Sequence, residues 1–296
     1  MATLSNPPPP EPKHLSEVLE LERLDTNLFR SRANQENSFG SLFGGQILGQ
    51  GLKAAALTVE AGRQAHSLHG YFLLAGASDI PVIYDVELTR DGGSFSTRRV
   101  VARQRAKTIF HMELSFHRPE QGFDHDNTLD IDVPDPDQLM STSELAQKYS
   151  ALLPKDSPPL ENWPTIIEFR PVNPDDMFMR KARTARGLYW IRSSSKLPDD
   201  PLTQLAGLAY LSDYFLLTTA LLRHPQSMRI PVMMASLDHA MWFHRSCRAD
   251  EWLLVDSTSP FMGGARGFAR GEVYDMKRQL VASVAQEGLV RPVVNK

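Results

Sequence analysis

The 296 residues contain one cysteine, Cys247. No internal disulfide or cysteine metal cage can form, which favours a reducing compartment. No stretch reaches the ~18 consecutive apolar residues of a membrane span. The N-terminal MATLSNPPPPEPKHLSEVLELERL lacks the uninterrupted apolar core of a secretory signal, so a protein without stable membrane insertion is expected. An excess of charge of one sign is missing too. A net charge of -3 and a pI near 6.3 give no general pull toward nucleic acid, and an anionic ligand would need a local basic patch.

Several motifs are also absent. Without a G-x-S-x-G elbow, an α/β-hydrolase serine mechanism has no support. No glycine string has P-loop spacing, and no H-E-x-x-H occurs. His66 and His69, like His239 and His244, are separated by odd numbers, which on a strand puts the rings on opposite faces. No metal and no cofactor is expected. The final Val294-Asn295-Lys296 is not a Ser-Lys-Leu type address, so the missing signals together favour the cytoplasm.

What is present centres on Leu205 to Leu222, LAGLAYLSDYFLLTTALL, apolar on every helical face yet carrying Asp213. A helix of that kind is normally buried, and an unpartnered ionised group inside it costs roughly several kcal/mol. Asp213 is therefore either a helix cap or satisfied structural carboxylate, or a catalytic group tuned by its surroundings.

The order of elements argues for a duplication. In the first half, Asn37 to Glu60 reads as a buried helix with Gly44 and Gly45 in its first turn. Ser67–Leu74, Val82–Thr89, a Gly92-Gly93 turn, Ser96–Gln104 and Lys107–His117 follow as strands, the last alternating cleanly. In the second half the helix Leu205–Leu222 precedes Met233–Arg245, Glu251–Thr258, Gly263-Gly264, Phe268–Tyr274 and Gln279–Leu289. His69 matches His239, Gly93 matches Gly264, Leu114 matches Gln286 and Arg118 matches Arg291, an offset drifting from 170 to 173. The expected fold class is α+β: two repeats, each a long helix against a curved antiparallel sheet. The boundaries are a flexible proline-rich tail (1–12), an N-terminal repeat (13–119), an acidic, proline-rich linker (120–185) and a C-terminal repeat (186–296). Within the linker a short helix is expected near Ser141 to Leu153, with edge-strand or surface structure at Ile166–Arg170 and Met177–Arg180.

Core positions should stay apolar in both copies, whereas a site needs only one. Where the copies differ, the polar groups fall in the second: Leu114 becomes Gln286, the Gly45-Gln46 region becomes Ser212-Asp213, and His66 becomes Ser236. Asp213, Ser236 and Gln286 would point into one seam and could hold a single water, the carboxylate taking its proton.

The strings NSFGSLFGGQILGQGL, SLHGYFLLAG, DGGSFSTRRVVARQ, SLDHAMWFHR, GGARGFARGEVY and AQEGLVRP resemble, in order and spacing, the type II acyl-CoA thioesterases, the TesB-like family. The resemblance covers most of the chain and implies a double hot-dog fold. It also implies catalytic residues at Asp213, Ser236 and Gln286, with serine at position 236 where many members have threonine and Ala240 where serine is common. The implied function is hydrolysis of medium- or long-chain fatty acyl-CoA by an Asp-activated water, with acyl-CoA as the partner molecule and a homo-oligomeric assembly. An oxyanion would be met by backbone N–H groups at the Gly45-Gln46 helix start, and CoA phosphates by exposed Arg98, Arg99 or Arg266. The resemblance leaves a peroxisomal location open. The alternatives are a non-catalytic acyl-CoA-binding protein and a hot-dog enoyl-CoA hydratase or dehydratase.

Overall fold

The computed structural model describes residues 8–126, 129, 131–152 and 166–293. The first part of the proline-rich tail, the PKDSPPLENWP stretch and the last three residues lie outside that range.

A short helix α1 (Leu15–Val18) opens the described chain, followed by β1 (Leu21–Arg23) and β2 (Leu28–Ser31). Helix α2 (Gly44–Ala56) comes next, then β3 (Gln64–Phe72), β4 (Ile83–Asp91), β5 (Phe95–Gln104) and β6 (Lys107–His117). The alternation in β6 does what it predicts: Phe110, Met112, Leu114 and Phe116 are buried and Glu113 is exposed. Helix α3 (Thr142–Tyr149) starts on a capping box between Ser141 and Glu144. The chain continues through β7 (Ile167–Pro171), α4 (Pro174–Met179), β8 (Arg186–Ser193) and α5 (Pro201–Leu211). It ends with β9 (Val232–Ser236), β10 (Asp238–Phe243), β11 (Leu253–Gly263), β12 (Arg266–Tyr274) and β13 (Leu280–Pro292).

All thirteen strands form one antiparallel sheet, in the order β1-β2-β4-β5-β6-β3-β10-β13-β12-β11-β8-β7, with β9 also on β13. The order is a palindrome about the β3–β10 pair. Outward from that pair, β3, β6, β5, β4, β2 and β1 repeat as β10, β13, β12, β11, β8 and β7, which is the duplication in three dimensions. Strands β3 to β6 wrap α2, and α5 packs against α2. This is a double hot dog.

The single helix expected over Leu205–Leu222 is broken. Helix α5 stops at Leu211, the chain turns through Ser212–Leu216, and a 3-10 segment, Leu217–Leu221, sits in the curve of β11, β12 and β13. Three local features make the break. Ser212 Oγ donates back to Ala209 O at 2.8 Å, Phe215 adopts a left-handed φ of 62°, and Tyr189 Oη donates to Tyr214 O at 2.8 Å. Asp213 therefore lies in a turn between helical segments. Met233–Arg245, expected as one strand, is likewise two, parted at Leu237.

The register of the repeat needs one correction. His239 faces inward, opposite Gly70 and 1% exposed, whereas His69 faces outward, opposite Ala240 with its ring edge-on to Trp242 at 5.1 Å. The inward residue of β3 beside Leu114 is Leu68, so matching the two histidines is off by one position there.

The acidic segment after β6 is tied down rather than trailing. Val133 is buried with Trp190, Trp252, Leu254 and Tyr274, and Leu129, Ile131 and Leu139 pack on the same cluster. Trp190 Nε1 donates to Pro134 O at 3.0 Å, Arg278 donates to Val133 O at 2.9 Å, and Arg245 pairs with Asp124 and Asp126. Tyr189, one residue before Trp190, belongs to the main core instead, so this strap covers the outer face of the second half of the sheet.

Candidate active site

Helix α2 begins with two glycines, and its N-cap residue Phe43 offers no side-chain acceptor to the first free N–H groups. The acceptor comes from the other repeat. The Gly45 N–H donates to the Asp213 carboxylate, which is thereby held at the positive end of the helix. The glycines are what let it approach. A Cβ on Gly44 would stand 2.6 Å from Asp213 Oδ2, and one on Gly45 would stand 2.4 Å from Tyr210 O.

From the opposite side, β13 brings Gln286 to the carboxylate. Its Nε2 donates to Asp213 Oδ1 at 2.9 Å and to Ser236 Oγ at 2.7 Å. The carboxylate fixes which end of the amide points toward it, since only the nitrogen can donate. Gln286 is 1% exposed, and its Oε1 has no partner among the described residues. Ser236 pairs with Gly288 at the end of β9 and accepts from Gln286, which leaves its own hydroxyl proton free to donate. The three polar residues expected to converge, Asp213, Ser236 and Gln286, do meet at one point.

Burial pushes the Asp213 carboxyl above its ordinary range, and the Gln286 amide and Gly45 N–H pull it back only in part. Behind it stands a buried polar cluster. Tyr210 Oη donates to Gln35 Oε1 at 2.5 Å, Gln35 Nε2 donates to Tyr214 Oη at 3.2 Å, and the two phenols lie 2.9 Å apart. His239 braces the turn from the sheet. Because the Ser212 hydroxyl gives its proton to Ala209 O, His239 Nε2 is the donor in the 3.0 Å bond to Ser212 Oγ. Burial holds its pKa down at about 3, so the ring is neutral.

Other expected residues fall elsewhere. The Gly45 N–H, expected to meet an oxyanion, faces the Asp213 carboxylate. The Gln46 side chain is fully buried, accepting from Gln35 N–H at 2.6 Å and donating to Asn34 Oδ1 at 2.9 Å and Gln50 Oε1 at 3.2 Å. Arg98 is not an exposed arginine. It is 1% exposed and donates to Thr58 Oγ1, to Arg90 O and to both oxygens of Asp91. Its position on β5 is inward, like Ser96 and Val100, so the side chain serves the end of α2. Arg99 and Arg266 do lie at the surface, beside Glu113 and Glu287. No group of three His, Cys, Asp or Glu that could hold a metal occurs among the described residues.

The Gln35, Tyr210 and Tyr214 cluster escaped the sequence reading because the three are apolar-run or loop residues with no motif spacing. The Gly44-Gly45 doublet at a helix start was the one local sign of the close approach.

Comparison with known proteins agrees with this architecture. Residues 34–117 match the model of an acyl-CoA thioesterase N-terminal domain, and residues 136–290 match that of an acyl-CoA thioesterase C-terminal domain. Human acyl-coenzyme A thioesterase 8 is 39% identical over 282 residues, covering 93% of this chain and 88% of its own. The crystal structure of acyl-CoA thioesterase II TesB2 from Mycobacterium marinum superposes with a TM-score of 0.77 at 38% identity, covering 94% of this chain and 98% of that one. A hot-dog protein of unknown function from Alicyclobacillus acidocaldarius gives 0.76 at 17% identity over 95% and 98%, a likeness of fold alone.

Proposed function

Because the chain belongs to the acyl-CoA thioesterase II (TesB) family, and is by that kinship an acyl-CoA thioester hydrolase, we propose that it hydrolyses medium- to long-chain fatty acyl-CoA at Asp213, Ser236 and Gln286. A water would donate to the Asp213 carboxylate and accept from the Ser236 hydroxyl. Asp213 takes the proton as the oxygen attacks the thioester carbonyl carbon, and returns it to the departing CoA thiolate. Gln286 holds Asp213 and Ser236 in fixed relation, and its free Oε1 is an acceptor for the bound molecule. No covalent intermediate is needed.

The observation that carries the reading is the meeting of three groups at one point: Gln286 Nε2 lies 2.9 Å from Asp213 Oδ1 and 2.7 Å from Ser236 Oγ. A carboxylate placed only to cap α2 would need neither the buried amide nor the hydroxyl beside it, and burial raises its pKa toward the range of a general base.

Release of free CoA thiol from a panel of acyl-CoAs tests this with the wild type and Asp213→Asn. Hydrolysis by the wild type and loss of at least about a hundredfold in kcat by the variant, with substrate still bound, is the expected result. Equal rates would make Asp213 a structural cap. Binding without thiol release by the wild type would favour an acyl-CoA-binding protein.

A further inference from the structure

We propose that Asp238 is a positioning residue for this site: its carboxylate closes the β-bulge that turns Ser236 inward onto Gln286. The role rests on the proposed water-activating function of Ser236 and Gln286.

The strand pairings show why a closing group is needed. On β13, Ala285 lies opposite Ala240 and Gly288 lies opposite Ser236. Between those pairs stand Gln286 and Glu287 on one side but Leu237, Asp238 and His239 on the other. One extra residue on the second strand is the definition of a bulge. It also changes the faces. Side chains alternate along a regular strand, so residues three apart point opposite ways. Across the bulge, Ser236 reaches Gln286 Nε2 at 2.7 Å while His239, three residues on, is also buried inside and bonded to Ser212. Without the extra residue the sheet could present one of them to the interior but not both.

An extra residue leaves ladder groups to be satisfied. Leu237 N–H donates to Glu287 O at 2.9 Å, and Leu237 O accepts from Phe72 N–H at 2.9 Å on the neighbouring strand. The Glu287 N–H has no backbone acceptor in this stretch, and Asp238 Oδ1 takes it at 2.7 Å. That N–H belongs to the peptide that follows Gln286, so the carboxylate holds the backbone on which the Gln286 side chain is mounted. The bond needs an acceptor oxygen at Oδ1 and no charge. Asparagine supplies one; alanine does not.

The test measures kcat and KM for thiol release, and melting temperature, for Asp238→Ala and Asp238→Asn, with Asp213→Asn and Ser236→Ala alongside. Asp238→Ala is expected to lower kcat by about ten- to a hundredfold with KM changed less than about threefold, and Asp238→Asn to restore most of the rate. In a Ser236→Ala background the alanine substitution is expected to cost little more, because its effect passes through the same group. If Asp238→Ala lowers stability too far to assay, Asp238→Glu takes its place, moving the oxygen by one methylene, with the same loss in kcat expected. The role is overturned if the assayed variant keeps wild-type kcat, if asparagine fails to rescue, or if the losses at 238 and 236 are independent. Full activity in Asp213→Asn instead overturns the proposed site itself, and this role with it.

Discussion

The Asp213 carboxylate occupies the space that a side chain on Gly44 would fill, its Oδ2 lying 2.6 Å from the position of that missing Cβ. The first repeat thus gives up a side chain so that the second can place an acid at the end of its helix. Phe72 closes the other side, with ring carbons 3.1 Å from the same point. Gly44→Ala must then displace the carboxylate, the phenyl ring or the helix start. We expect kcat for thiol release to fall by about tenfold or more while circular dichroism stays unchanged. A Gly44→Ala protein with wild-type kcat would show that the carboxylate can move without consequence.

Much of this was legible in the sequence, and the parts that were not share a cause. The duplication could be read because Gly93 and Gly264 mark equivalent hairpins and β6 alternates without interruption. The convergence of Asp213, Ser236 and Gln286 could be read because the two copies differ in chemistry at those positions, most plainly where Leu114 becomes Gln286. Features that depend on one-residue shifts could not. The bulge at Leu237 and the left-handed Phe215 break otherwise regular apolar runs, and both leave the residue types on either side unchanged. The strap over Trp190 and Trp252 was hidden differently. Its acidic and proline-rich composition signals a loop, and the residues that anchor it are few: Leu129, Ile131 and Val133 alternate over only five positions before Pro134 ends the run, and Leu139 stands apart.

The raised pKa of Asp213 bears on stability as well as rate. A folded-state pKa above the unfolded value means that the native chain holds the proton more tightly. The contribution of Asp213 is therefore most favourable below 3.8, its ordinary value, and is lost as pH rises through the higher folded value. At neutral pH the ionised group is a burden on the fold. Asp213→Asn is expected to melt no lower than the wild type at pH 7 while losing its activity, a stability–function conflict common at active sites. For the wild type, kcat/KM should fall on acidification with a midpoint above 3.8. A variant melting several degrees below the wild type at pH 7 would mean that capping α2 outweighs the cost of burying the charge.

Arg98 separates two uses of a cation on this sheet. Its guanidinium ties Asp91 and the Arg90 carbonyl, at the end of β4, to Thr58 just beyond α2, with its side chain almost wholly enclosed. Arg99, the next residue, points the other way and is about half exposed. Replacing Arg98 by methionine keeps the apolar stem but removes every one of those donors, which should lower stability by about 2 kcal/mol or more, since hydrogen bonds to charged groups are the stronger ones. Because no part of the Arg98 side chain reaches the surface where a phosphate could sit, KM for acyl-CoA should stay within about twofold of the wild type. Chemical denaturation and steady-state kinetics on the same sample decide the matter. A rise in KM without a loss of stability would return Arg98 to the CoA-binding role from which its burial removes it, whereas Arg99→Met and Arg266→Met, at exposed positions, are the substitutions through which a phosphate contact would show as a salt-dependent KM.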